Sequence, residues 1–260
     1  MKEKRTVIQG TASSLRCLRP GFRAAAVVAI LLAAGCATGK TGEKSSQELY
    51  EEGNRLAGKK SYPEAIDSYR AAARTYRGAD LDAAIQIALA DAQFKNEDYA
   101  AAAESYAEFL RMHPHNAQAD YAQLRIGSSW SKQMCTADRS QAAAHKAVAA
   151  YEALLRGYPR SSLLDEGRKG LADARRRIAE HELSVARFYE RRGSYRAAAG
   201  RYEVVLQEYG DLGFAEQSLY ELGRCYERLQ DGARAAQLFE QLRRDFPQSR
   251  YLKEIGDHKG

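Results

Sequence analysis

The sequence predicts an all-α fold: five helix–turn–helix repeats stacked as a solenoid and winding into a right-handed superhelix. Two observations carry this. An aromatic, a small residue three positions on and an aromatic four further on recur as Tyr62-Ala65-Tyr69, Tyr99-Ala102-Tyr106 and Tyr195-Ala198-Tyr202, with weaker copies Ala144-Ala147-Tyr151 and Gly232-Ala235-Phe239. The spacing is also fixed: Tyr62 to Tyr99 and Tyr195 to Gly232 are both 37 residues. A period of that length marks stacked two-helix units that cannot bury their apolar faces alone.

The first repeat carries Gly53, Ala65, Tyr69 and Ala72 and ends in Tyr76-Arg77 without a proline. The second has Leu89, Ala90, Ala102, Tyr106 and Pro114; the third Ile126, Gly127, Trp130, Ala147, Tyr151 and Pro159. The fourth has Ala186, Tyr189, Ala198, Tyr202 and Tyr209-Gly210, and the fifth Leu219, Leu222, Gly223, Tyr226, Ala235, Phe239, Leu242 and Pro247. Small residues stand where two helices must approach closely and large ones fill the space beside them. Proline at the exit cannot continue a helix and drives its predecessor out of the α region. Together these are the tetratricopeptide (TPR) pattern.

Two departures locate insertions. Gly127 to Tyr151 spans 24 residues where Gly223 to Phe239 spans 16, so the third repeat carries about eight extra, near Ser131–Ala142. A further stretch, about Ser161–His181, has no breaker after Gly170 and is rich in Ala, Arg and Glu. It reads as a long exposed helix leading into the fourth repeat. No extra helix is expected after Pro247.

Residues 1–35 read as a signal peptide. A basic start (Lys2, Lys4, Arg5, Arg16, Arg19, Arg23) precedes the apolar run Ala24–Ala34 and then Gly35-Cys36. That run falls short of the roughly 20 apolar residues a membrane-spanning helix needs. Leu32-Ala33-Ala34-Gly35-Cys36 resembles a bacterial lipobox, with the Leu one place further from the Cys than usual. The resemblance implies cleavage before Cys36, a covalent lipid on its sulfur and acylation of the new amino terminus. Ala37 next to it favours outer-membrane delivery. An ordinary secreted chain with an incidental Cys36 is the alternative. Residues 36–46 then form a lipidated flexible linker of Gly, Ser, Thr and Lys.

The leader also accounts for the charge. The chain carries +6, but residues 1–35 hold six basic residues and one acid, leaving the remainder near +1 with charges interspersed. Nucleic-acid binding is not indicated. Cys135 and Cys225 lie two repeats apart and are expected as free thiols. No phosphate loop, nucleophile elbow or metal-binding cysteine pair is present, so catalysis, a metal and a cofactor beyond the lipid are not expected. His113-Pro114-His115 reads as a surface turn closing the second repeat.

What remains is a groove. By phase, the first helices of the first three repeats would present Tyr50, Asn54, Ile87, Asp91, Phe94 and Leu124 on the concave wall, a mixture suited to an extended peptide. For Tyr50, Phe94 and Leu124 packing between helices is an equal alternative.

The chain resembles one family in detail, the BamD (competence lipoprotein, ComL) family of TPR lipoproteins of the outer-membrane β-barrel assembly machine. The matching stretches include Phe109-Leu110 with His113-Pro114, Asp120-Tyr121 with Arg125-Ile126-Gly127, Asp138-Arg139 in the inserted loop, and His181–Arg201. Tyr76-Arg77-Gly78-Ala79 departs from the family's Tyr-Pro. The resemblance implies a non-enzymatic adaptor at the periplasmic face of the outer membrane of a Gram-negative bacterium. Residues 47–116 (repeats one and two) would receive the targeting segments of unfolded outer-membrane β-barrel proteins. Residues 117–160 form the interrupted third repeat. Residues 161–260, the long helix with repeats four and five, would dock the periplasmic POTRA region of a BamA-type insertase, beside other assembly-machine lipoproteins. Arg201 falls where the family has an arginine that ion-pairs with that region; a solvated helix residue is its alternative. Another periplasmic TPR adaptor, of Tol–Pal coordinator or pilus-biogenesis type, is the competing reading.

Overall fold

A computed structural model describes residues 44–75, 78, 81–134 and 141–256. The expectations for the leader, Cys36, most of the linker, Tyr76-Arg77, Ala79, Cys135 and Asp138-Arg139 fall outside these residues. The described chain is helical throughout. Repeat one pairs α1 (Ser46–Gly58) with α2 (Tyr62–Thr75), and repeat two α3 (Asp82–Lys95) with α4 (Tyr99–Met112). Repeat three pairs α5 (Ala119–Lys132) with α6 (Ala142–Gly157). Repeats four and five are α7 (Leu164–Arg191) with α8 (Tyr195–Tyr209), and α9 (Ala215–Arg228) with α10 (Gly232–Asp245), followed by α11 (Tyr251–Gly256). Within the unit Lys44–Gly260 each helix from α1 to α10 packs chiefly on its neighbours in sequence, which is the solenoid arrangement.

The first helix starts on a reciprocal cap: the Glu48 backbone N–H donates to Ser45 Oγ, and the Ser45 N–H to the Glu48 carboxylate. Four of the five hairpins then turn in the same way. Lys60, Glu97, Gly193 and Gln230 each stand two residues past the end of a helix with φ between 60° and 71°. The next residue's N–H reaches back five positions: Ser61 to Leu56, Asp98 to Gln93, Ser194 to Tyr189 and Asp231 to Tyr226, all at 2.9–3.0 Å. This is a left-handed helix terminus whose last residue opens the following helix. Asp98 and Asp231 complete the join by accepting from the N–H groups of Ala101 and Arg234. Three repeat exits are equally regular. His113, Tyr158 and Phe246 precede prolines and all sit near φ −130°, ψ 54–65°, outside the α region.

The core is a row of small-to-aromatic contacts between the two helices of each repeat. Gly53 faces Tyr69, Gly127 faces Tyr151 and Gly223 faces Phe239; in repeats two and four Ala90 and Ala186 are buried with Tyr106 and Tyr202. The insertion in the third repeat lies between α5 and α6, where the spacing places it. Two expectations change, while the turn at Pro114-His115 is exposed as expected. The long helix is one continuous 28-residue element, and it is not exposed all round: Gly167, Ala174, Ile178, Ala179, Leu183 and Ala186 are buried. A helix does follow Pro247. In α11, Tyr251 and Ile255 pack on the fifth repeat, with Tyr251 stacked on Tyr220 at 4.5 Å. His113 is half-buried, its ring on Phe109 and its Nε2 3.0 Å from Asp82. Cys225 is a free, buried thiol.

Candidate binding surface of the amino-terminal repeats

Each buried tyrosine of the repeat row sends its hydroxyl out to a polar residue on the partner helix. Tyr69 donates to Asn54 Oδ1 at 2.8 Å, Tyr202 donates to Glu190 at 3.1 Å, and Tyr151 bonds Ser131 Oγ at 3.0 Å. In repeat two the arrangement becomes a network. Asp91 accepts from Tyr106 and, at 2.7 Å, from Tyr121 of the next repeat. Arg125 donates from Nε to the Tyr106 hydroxyl at 3.4 Å, and its guanidinium lies 3.6 Å from the centre of the Phe94 ring. Phe94 in turn meets Tyr99 edge-on at 5.1 Å.

The electrostatics follow from burial. Desolvation, then the charge of Asp91, pushes the Tyr106 phenol far above its ordinary range. Burial raises Tyr69 to about 12, and burial with the hydrogen bond to Asp91 raises Tyr121 to about 12. These phenols are neutral donors across the physiological range, and Asp91 is the shared acceptor of Tyr106 and Tyr121.

Four of the six groove candidates reach the surface together with this network. Asn54 is exposed, and Tyr50, Asp91 and Phe94 are half-buried, with the Tyr50 ring 5.9 Å from that of Tyr69. Ile87 and Leu124 do not line a groove. They are 5% and 2% exposed and belong to the cores of repeats two and three. Along one face of an inner helix, the adjacent repeat covers some positions and leaves others open, so Ile87 is buried although it shares a face with Asp91 four residues on. Sequence phase missed Arg125 and Tyr121 as parts of the surface, because their partners Phe94 and Asp91 lie about 30 residues away in the preceding repeat. The surface thus offers an aromatic shelf, a guanidinium stacked on it and fixed hydrogen-bonding groups.

At the other end of the solenoid Arg201 is exposed on α8 and pairs with Glu182 of α7 at 2.9 Å. An external carboxylate would take up the guanidinium in competition with Glu182.

Stacked hairpins bearing such a surface define a tetratricopeptide-type binding scaffold. A family model described as "Outer membrane lipoprotein" (YfiO) matches residues 42–238, from the first repeat into the second helix of the fifth, and the chain belongs to this family. Among curated relatives, "Outer membrane protein assembly factor BamD" of Neisseria meningitidis serogroup B is 26% identical over 242 residues, covering 86% of this chain and 91% of the relative. The protein of the same name from Caulobacter vibrioides is 25% identical over 215 residues, covering 80% and 70%. Solved structures with some likeness include the "TPR2AB-domain:pHSP90-complex of yeast Sti1", at TM-score 0.43 and 14% identity over 78% of each chain. MamA of Desulfovibrio magneticus RS-1 has TM-score 0.38 and 18% identity over 78% of this chain and 98% of that one.

Proposed function

We propose that this chain is a lipid-anchored scaffold of the outer-membrane β-barrel assembly machine. The observation that carries the reading is the family match across residues 42–238, which runs from the first repeat into the second helix of the fifth. The mechanism is affinity and geometry. The surface around Tyr50, Asn54, Asp91, Phe94 and Arg125 takes the targeting segment of an unfolded barrel protein in extended form. The half from α7 onward holds the periplasmic region of a BamA-type insertase, with Arg201 making one charge pair to it. A lipid on Cys36 keeps the solenoid at the periplasmic face of the outer membrane.

Co-purification tests the docking half. Arg201→Glu should weaken recovery of the insertase, since one partly exposed charge pair is replaced by repulsion worth about 1–3 kcal/mol. Undiminished recovery removes Arg201 from the interface. Labelled palmitate tests the anchor: incorporation should disappear in Cys36→Ala, and a wild-type chain that takes up no label contradicts lipidation.

A further inference from the structure

A second surface lies within the carboxy-terminal half and does not include Arg201. Between the carboxy-terminal turns of α7 and α9 is an open cleft of about 350 Å³ lined by Arg187, Glu190, Arg191, Tyr195, Arg224 and Arg228. Most arginines elsewhere in the described residues are neutralised close at hand: Arg55, Arg111, Arg156 and Arg168 each pair with a carboxylate one helical turn away. None of the four cleft arginines is in an ion pair among the described residues. Two of them, Arg224 and Arg228, lie near aromatic rings instead. Arg228 lies 6.0 Å from the centre of Tyr195 and Arg224 5.7 Å from that of Tyr220, whose hydroxyl it also meets at 3.3 Å. Glu190, the carboxylate in the wall, accepts from Tyr202. Glu221 nearby is raised above the usual carboxylate range by burial, then by the charge of Glu190. Arg224 feels the charges of both Glu221 and Glu190, and Arg187 that of Glu221, so two carboxylates offset part of the charge of four arginines.

Phe188, next in sequence to Arg187 and one turn before Arg191 on α7, is 44% exposed and one of two large hydrophobic side chains so exposed among the described residues, with Arg192 over its ring at 4.6 Å. Arginines on aromatic supports next to an exposed aromatic make up the composition of protein-recognition hot spots. Guanidinium forks match carboxylates in shape and charge. A lipid would bring acyl chains, and a single ring with no apolar surface continuing from it offers them no bed. We propose that this cleft is a recognition site for an acidic polypeptide segment, whose carboxylates engage Arg187, Arg191, Arg224 and Arg228 while one apolar side chain lies on Phe188. The site includes neither Arg201 nor any residue of the amino-terminal surface, and it does not depend on the proposed role in barrel assembly.

Fluorescence anisotropy on the full chain tests it, with a labelled peptide of alternating glutamate and glycine carrying one phenylalanine. The expected result is saturable, salt-sensitive binding, weakened about tenfold or more by Arg187→Gln with Arg191→Gln and likewise by Arg224→Gln with Arg228→Gln, the sum of a few part-exposed charge pairs. A lysine version of the peptide should not bind wild type but should bind Arg187→Glu with Arg191→Glu, which shows that a loss reflects charge and not unfolding. Absent binding, binding indifferent to both glutamine pairs, or a lysine peptide that the swapped variant ignores overturns the proposal. So does arginine-dependent binding to phosphatidylglycerol vesicles or inorganic phosphate that the acidic peptide cannot displace.

Discussion

Gly223 lies flat against the edge of Phe239: a methyl group built on it would stand 2.4 Å from the ring carbon Cε1. The same relation holds between Gly53 and Tyr69 at 2.5 Å and between Gly127 and Tyr151 at 2.6 Å. Adding a Cβ in a helix normally gains about 1 kcal/mol of propensity. Here it strikes a packed ring that has nowhere to move, and overpacking of this kind costs about 1–3 kcal/mol. Gly223→Ala should therefore destabilise the chain by about 1–2 kcal/mol in denaturant unfolding. A stabilised variant would show that the two helices are not in this contact.

The repeated hairpin turn gives a prediction of opposite sign. Lys60, Glu97 and Gln230 hold left-handed backbone with side chains attached, while Gly193 holds it without one. The strain is about 1–2 kcal/mol per residue, offset in part by the greater freedom glycine has when unfolded. Gln230→Gly should raise stability by about 0.5–1 kcal/mol, and Gly193→Gln should lower it by a similar amount. The midpoint of urea unfolding reads both.

Asp91 is the acceptor for two tyrosines, one of them with no exposed surface. Asp91→Ala leaves the buried Tyr106 hydroxyl to Arg125 alone and should cost about 1–3 kcal/mol. Asp91→Asn keeps an acceptor oxygen and should cost clearly less. Equal losses in the two variants would mean that the hydrogen bonds are not what Asp91 contributes.

Alkaline titration probes the same row. Tyr69 and Tyr121 are raised to about 12 in the fold, from about 10 in an unfolded chain. Above pH 10 the unfolded state releases these protons and the folded state retains them, so unfolding is favoured as pH rises. Their contribution is complete below about pH 10 and is lost progressively toward about pH 12. Tyr69→Phe should flatten the fall in melting temperature over that window; an unchanged slope would place the responsible groups elsewhere.

Much of the fold was legible because its determinants are local or strictly periodic. Ala90 to Tyr106 and Gly223 to Phe239 share one 16-residue spacing, and the prolines after His113, Tyr158 and Phe246 mark the exits. The left-handed turns were legible only at Gly193, since Lys60, Glu97 and Gln230 give no compositional sign of φ near 60°. The run Tyr251 to Ile255 is too short for its periodicity to register, and only packing on Tyr220 reveals it as a helix. Ile87 and Leu124 went to the wrong side because phase along one helix does not say where the next repeat covers it. Arg125 on Phe94, and the arginines of α7 and α9, are juxtaposed only by stacking.

The central claim is that the chain serves β-barrel insertion as a scaffold. Its most direct test is depletion, followed by the amount of folded outer-membrane barrel protein resolved by heat-modifiable migration on gels. The account predicts that folded barrels fall and unfolded barrel proteins accumulate in the periplasm, with wild-type chain restoring insertion. Barrels that assemble at normal levels and rates after the chain is gone would contradict it.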